Sequence, residues 1–233
     1  MGNQVKSKKR VADHGEVFTA EREVKAMCDL VKDECERIDS RFLEPACGNG
    51  NFLAEILSRK LAVCKRLYKK YIPDYEKYSF LAVSSIYGVE LLADNAAECR
   101  ERLYGIWEKE YKAVCKAEEN EDMKKSIRYL LQKNILCGNA LSLMQVDKQG
   151  NDTPDFITFC EWSFVSGNLV KRRDFRLDVL LRENEDNAMQ FSLFADSADS
   201  SEFWDYDAAT KAYIPKPIKE YKPIDYRRIW ENE

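Results

Sequence analysis

The chain has 233 residues, of which 45% are apolar and 33% charged, and its net charge is -4. That length and apolar share suit one globular domain, or one with a substantial extension, and exclude global disorder. The acidic balance excludes a protein that grips DNA by bulk charge alone, though not one with a local basic face. No run approaches the roughly 20 apolar residues of a membrane helix. The basic residues 1–10 are not followed by the apolar core of a signal peptide. Eight cysteines without a C-x-x-C pair, and a single histidine, His14, predict small buried hydrophobes in a reduced, cytoplasmic protein rather than a zinc centre.

In chain order, residues 1–12 are polar and basic and predict disorder. Val24, Met27, Val31, Cys35 and Ile38 recur at spacings of three and four, which predicts one amphipathic helix over 20–38 with Thr19 as its N-cap. Residues 41–46 read as a short strand running into a turn at 47–51 that holds two glycines. A helix follows from about Asn51, and 60–79 continues helical through a Tyr- and Lys-rich stretch around Pro73. Residues 85–90 predict a second strand, 92–117 a long helix, 118–122 an acidic turn and 123–132 a shorter helix. A third strand is predicted over 134–140 and a fourth over 155–160. Strands alternating with helices predict an α/β fold with a largely parallel sheet. From 161 to 233 the pattern turns irregular, acidic and Ser-rich over 183–210, then Pro-, Lys- and Tyr-rich.

Two basic stretches each carry two readings. Asn168–Arg176 is either a phosphate-contacting cluster or a surface turn paired with Asp174 and Asp178. Lys65–Lys77, with Tyr68, Tyr71, Tyr75 and Tyr78, is either a face for single-stranded nucleic acid or an amphipathic helix with its tyrosines packed inward.

The informative string is Leu43-Glu44-Pro45-Ala46-Cys47-Gly48-Asn49-Gly50-Asn51-Phe52. A strand ends, glycines permit a tight turn and a close ligand, and a helix N-terminus follows; ligands of open α/β sheets bind in that crevice. Three further strings flank it: Gly15-Glu16-Val17-Phe18-Thr19-Ala20, Ile86-Tyr87-Gly88-Val89-Glu90 and Cys137-Gly138-Asn139-Ala140-Leu141. A carboxylate ending a strand, as Glu90 does, can accept from both hydroxyls of a ribose. Glu90 lies 40 residues beyond Gly50 where nucleotide sites expect about 20, which places an insertion between them; Asp94 is the alternative acid.

Taken in order, these strings resemble motifs X, I, II and III of the DNA adenine methyltransferases of restriction–modification systems, over about residues 13–143. The resemblance implies a Rossmann-like class I methyltransferase sheet flanked by helices over 13–160, followed by an irregular extension over 161–233 that contacts DNA or a partner. It implies S-adenosylmethionine as cofactor. Thr19, Glu44, Pro45, Ala46, Gly48 and Gly50 would surround its methionine end, Glu90 would hold the ribose, and Asn139 with Ala140 would meet the adenine. At Ala20 the family pattern has proline. DNA is the implied substrate, and a partner methyltransferase, specificity or restriction subunit the implied protein partner.

The family's catalytic [DNS]-P-P-[YFW] loop, which holds the flipped adenine, is not found: none of the six prolines is adjacent to another. The nearest positional candidate is Glu161-Trp162-Ser163-Phe164. Two readings follow. The chain is a truncated methyltransferase or the cofactor-binding half of a split one, or it is a catalytically inactive scaffold that binds DNA or a partner protein.

Overall fold

The computed structural model describes residues 6–185, 203–208 and 212–232. Its sheet is built on three parallel strands, β1 Phe42–Glu44, β2 Ile86–Glu90 and β3 Ile135–Asn139. β2 lies between the other two and every residue in it is buried. This is why it reads as a continuous Ile-Tyr-Gly-Val run rather than an alternating one.

Helices connect these strands. Ahead of β1 lie α1 Lys8–His14, α2 Glu21–Leu30 and α3 Lys32–Glu36. Between β1 and β2 come α4 Asn51–Tyr68, the helix expected after the glycine turn, and α5 Ile72–Ser84, which with the Tyr- and Lys-rich stretch ahead of it fills the gap that spacing assigned to an insertion. Between β2 and β3 come α6 Ala93–Cys115 and α7 Glu121–Asn134. On α4, Leu53, Leu57, Leu61 and Cys64 recur at helical spacing and are fully buried. On α7, the Asn120 side chain caps the first turn by accepting the Asp122 and Met123 N–H groups.

Four expectations are corrected. Residues 8–14 are helical, not disordered: Arg10 and Lys6 hold this segment to the domain through ion pairs with Glu16, Asp94 and Glu98. The helix predicted over 20–38 is broken at Val31, whose backbone leaves the helical region (φ -121, ψ 38). The N-cap of α2 is Ala20, not Thr19. The sheet is mixed rather than largely parallel. After β3 the chain turns back, and β4 Met144–Val146 and β5 Asp152–Phe156 add antiparallel strands to complete five. The fourth strand predicted over 155–160 therefore divides at buried Ile157.

The region beyond 160 is regular where composition predicted irregularity. β6 Thr158–Ser166 and β7 Leu169–Arg176 form a long antiparallel hairpin. After α8 Leu177–Glu185 come β8 Trp204–Asp207 and β9 Ala212–Pro215, paired with each other. β10 Lys219–Glu220 and β11 Ile224–Asp225 both pair with β7, and a 3-10 helix spans Tyr226–Glu231. Trp162, Val170, Tyr226 and Ile229 join the same core as Leu57, Phe80, Trp107 and Leu130, so the hairpin is packed into the domain. Much of the acidic stretch read over 183–210 lies outside the described residues. Among the described residues, no helix is long and apolar enough to cross a membrane.

Candidate functional site

The register places the predicted motifs side by side. Glu44, at the end of β1, is opposite Gly88, and Glu90, at the end of β2, is opposite Cys137 on β3. The carboxyl ends of three adjacent parallel strands thus carry the first glycine turn, the second-strand acid and the third-strand Gly-Asn turn. This is the edge at which open α/β sheets bind ligands.

The turn after β1 needs its glycines. Gly48 and Gly50 have φ of +53° and +85°, a region that costs a side-chain-bearing residue about 1–2 kcal/mol. A Cβ on Gly50 would lie 2.6 Å from the Cys99 sulfur, so that glycine also lets α6 approach the turn. A Cβ on Gly48 would lie 3.2 Å from the Phe18 ring. Phe18 therefore roofs the turn, and the neighbouring Thr19 carbonyl accepts from the Asn51 side chain at 3.0 Å. The stretch that resembles motif X is thereby laid over the stretch that resembles motif I.

Glu90 ties the two strands together. Its carboxylate accepts the Gly48 N–H at 2.8 Å through Oε2, and the Leu92 N–H at 3.0 Å through Oε1. Glu44 is half-buried, and burial raises its pKa, opposed by the Ala46 N–H that it accepts. Pro45 and Ala46 are exposed. Asn139 sits on the same edge with its amide oxygen already accepting the Leu141 N–H at 3.0 Å and its amide nitrogen donating to Asp152 at 3.0 Å. Ala140 packs against the small cluster of Tyr87, Val89 and Ile157. Asp94, the alternative acid, is taken by Arg10.

Sequence reasoning missed a second layer. Arg10 forks onto Glu16 at 2.6 and 2.8 Å, and Asn95, 1% exposed, donates to Glu16 at 2.6 Å. Burial opposes ionisation of Glu16, yet Arg10 and Asn95 hold its pKa below the usual range. The cue available in the sequence was the Gly-x-x-Phe-Thr string itself, whose second residue is Glu16.

The positional candidate for chemistry is built into the core instead. Glu161, Trp162 and Phe164 lie within β6. Trp162 donates to Asn134 at 3.0 Å, Phe164 packs edge-on to Phe80 and Tyr226, and Glu161 pairs with Arg41 and Arg173. No ring there is free to stack on a base. The basic cluster over 168–176 is likewise internally paired: Lys171 with Glu220, Arg172 with Asp174, Arg173 with Glu161 and Arg176 with Asp178. Of the tyrosines near Lys65–Lys77, Tyr75 is fully buried, Tyr68 stacks on Tyr78 at 3.9 Å, and Tyr71 alone is strongly exposed at 61%.

A cleft of about 490 Å³ lies elsewhere, against the outer side of β1, lined by Leu43, Phe159, Phe175 and Leu181 with Arg41 and Arg173 at its rim. Among the described residues β1 is an edge strand of the sheet. The Phe42 N–H bonds to Ser85 on the β2 side, so by strand alternation the backbone groups of Leu43 point outward, and Leu43 is 42% exposed.

No curated protein and no solved structure matches this chain. The model of the MmeI DNA-methyltransferase domain family matches residues 2–168, more than half of the sequence. That stretch contains the glycine turn, Glu90, Asn139 and the roofing segment around Phe18. The chain belongs to the MmeI DNA-methyltransferase domain family, methyltransferases of the restriction–modification type.

Proposed function

We propose that this chain is the S-adenosylmethionine-binding part of a DNA adenine methyltransferase, and that its three parallel strands are one side of a Rossmann-like sheet. The observation that carries this is the joining of Gly48 N–H to Glu90 at the carboxyl edge of β1 and β2. The residues fit such a ligand. Gly48 leaves open the space that a side chain would fill beside Phe18. Glu44 is half-buried and would offer its carboxylate to an ammonium group, and Thr19, Pro45, Ala46 and Gly50 would complete that end of the site. Glu90 Oε2, with one donor so far, can accept from a ribose hydroxyl. Asn139 and Ala140 would meet the adenine. When bound, the cofactor supplies an electrophilic methyl group on a sulfonium. That methyl would be the group received by the exocyclic amine of adenine.

The acceptors that polarise the amine come, in this reading, from a further segment bearing the Pro-Pro loop, in the same or a second polypeptide. Among the described residues no strand pairs with the outer edge of β1, and an apolar cleft lies beside it; this supports that completion, because an unpaired strand edge accepts a further strand through its backbone groups. DNA contact belongs to the assembled enzyme. The scaffold reading has no observation of its own in its favour. Photolabelling with methyl-tritiated S-adenosylmethionine tests the cofactor claim. Label should enter the wild-type chain and be lost in Gly48→Asp; equal labelling of both would count against it.

A further inference from the structure

A polar chain runs from the N-terminal segment to Glu90. Lys6 donates to the Asn95 side-chain oxygen at 2.7 Å and pairs with Glu98 at 2.5 Å. Arg10 bridges Glu16 and Asp94, each through two hydrogen bonds. Asn95 donates to Glu16 at 2.6 Å and also reaches Glu90 Oε1 at 3.3 Å. Four carboxylates, Glu16, Glu90, Asp94 and Glu98, therefore surround this one asparagine. The cations facing three of them, Lys6 and Arg10, both belong to the segment around α1.

We propose that Asn95, held by Glu16 and Arg10, is the positioning residue that aims the Glu90 carboxylate at the ribose, so that the N-terminal segment is a working part of the cofactor site. This rests on the cofactor reading above. A carboxylate oxygen has room for about two donors. Oε1 is filled by the Leu92 N–H and Asn95, which fixes the plane of the group and turns Oε2 toward the glycine turn, where, among the described residues, the Gly48 N–H alone meets it. Without Asn95, Oε1 is under-filled and the carboxylate can rotate. Without Arg10, Glu16 and Asp94 lose the charge between them, and repulsion spreads the cluster. Asn95 does not reach into the turn itself and so acts through Glu90.

The experiment is calorimetric titration of the full chain with two ligands, S-adenosylhomocysteine and its analogue lacking the 2′- and 3′-hydroxyls. Wild type should prefer the hydroxylated ligand roughly tenfold or more, the size of a hydrogen bond to a charged group. In Asn95→Ala that preference should fall below about threefold while affinity for the dideoxy ligand stays within about twofold. A purely structural role would weaken both ligands alike. Arg10→Ala should reduce the preference in the same sense, with Arg10→Lys restoring part of it; this partly exposed position keeps the test open if Asn95→Ala does not fold. An unchanged preference in a folded Asn95→Ala, or in Arg10→Ala, would overturn the proposal while leaving cofactor binding intact. A folded wild type that binds neither ligand would overturn the cofactor reading and this inference with it.

Discussion

The carboxylate of Glu90 accepts the backbone N–H of Gly48 at 2.8 Å, across 42 residues of sequence. The end of β2 and the turn after β1 are thereby one unit. Glu90→Gln keeps an oxygen that can accept this N–H but removes the charge. Affinity for S-adenosylmethionine should fall roughly 10- to 100-fold, because a charged acceptor to a ribose hydroxyl becomes a neutral one. The melting temperature should move by only a few degrees. Equal binding by the variant would remove Glu90 from the site.

Glu44 carries a pH signature. Burial raises its carboxyl pKa. An ammonium partner requires the ionised form, so affinity should be full at neutral pH and fall as pH descends through that raised value. Titrations between pH 7.5 and pH 5 read this directly. Glu44→Gln should bind more weakly at neutral pH and show a flatter profile; a variant as pH-dependent as wild type would assign the effect to another group.

Gly50 serves both backbone conformation and packing, and a double-mutant cycle separates them. Gly50→Ala combines the left-handed strain with a Cβ 2.6 Å from the Cys99 sulfur. Together these should cost about 2–5 kcal/mol in denaturant unfolding. In a Cys99→Ala background the steric part vanishes, leaving about 1–2 kcal/mol. Additive effects of the two substitutions would contradict the contact.

Lys60 is fully buried on α4. Its ammonium donates to the carbonyls of Ile38 and Ser40 and to the Ser85 hydroxyl, tying together the approaches to β1 and β2. Burial pushes its pKa down to about 8. The unfolded value is about 10.4, so the folded state favours the neutral amine. The penalty for burying the charge is complete below pH 8 and is relieved as pH rises toward 10.4. Wild type should therefore gain on Lys60→Met between pH 7 and pH 10, by up to about 3 kcal/mol. Comparing the two proteins cancels the opposite drift from the buried thiols. A stability gap independent of pH would contradict the buried charge.

The parallel core was legible because its signals are local: apolar runs at Ile86–Glu90 and Ile135–Asn139, and two left-handed glycines in the turn between β1 and α4. What escaped sequence reading depends on distant partners. The segment around α1 is mostly polar, and its order comes from Lys6 on Asn95 and Glu98 and Arg10 on Asp94, partners more than 80 residues away. In β7 the inward positions include Arg172 and Asp174, both buried and bonded to each other, Tyr129 and Tyr221. A strand that buries an ion pair breaks the apolar alternation by which strands are read. The residues proposed for the cofactor lie in strings of recognisable type and order, but the network behind Glu90 does not, since Arg10, Glu16 and Asn95 form no pattern along the chain.

The central claim is most directly tested by calorimetric titration of the purified chain with S-adenosylmethionine, with Gly48→Asp as control. One-site binding by the wild type, lost in a variant that remains folded, is the predicted result. A folded wild-type protein that gives no binding heat at several temperatures would contradict it.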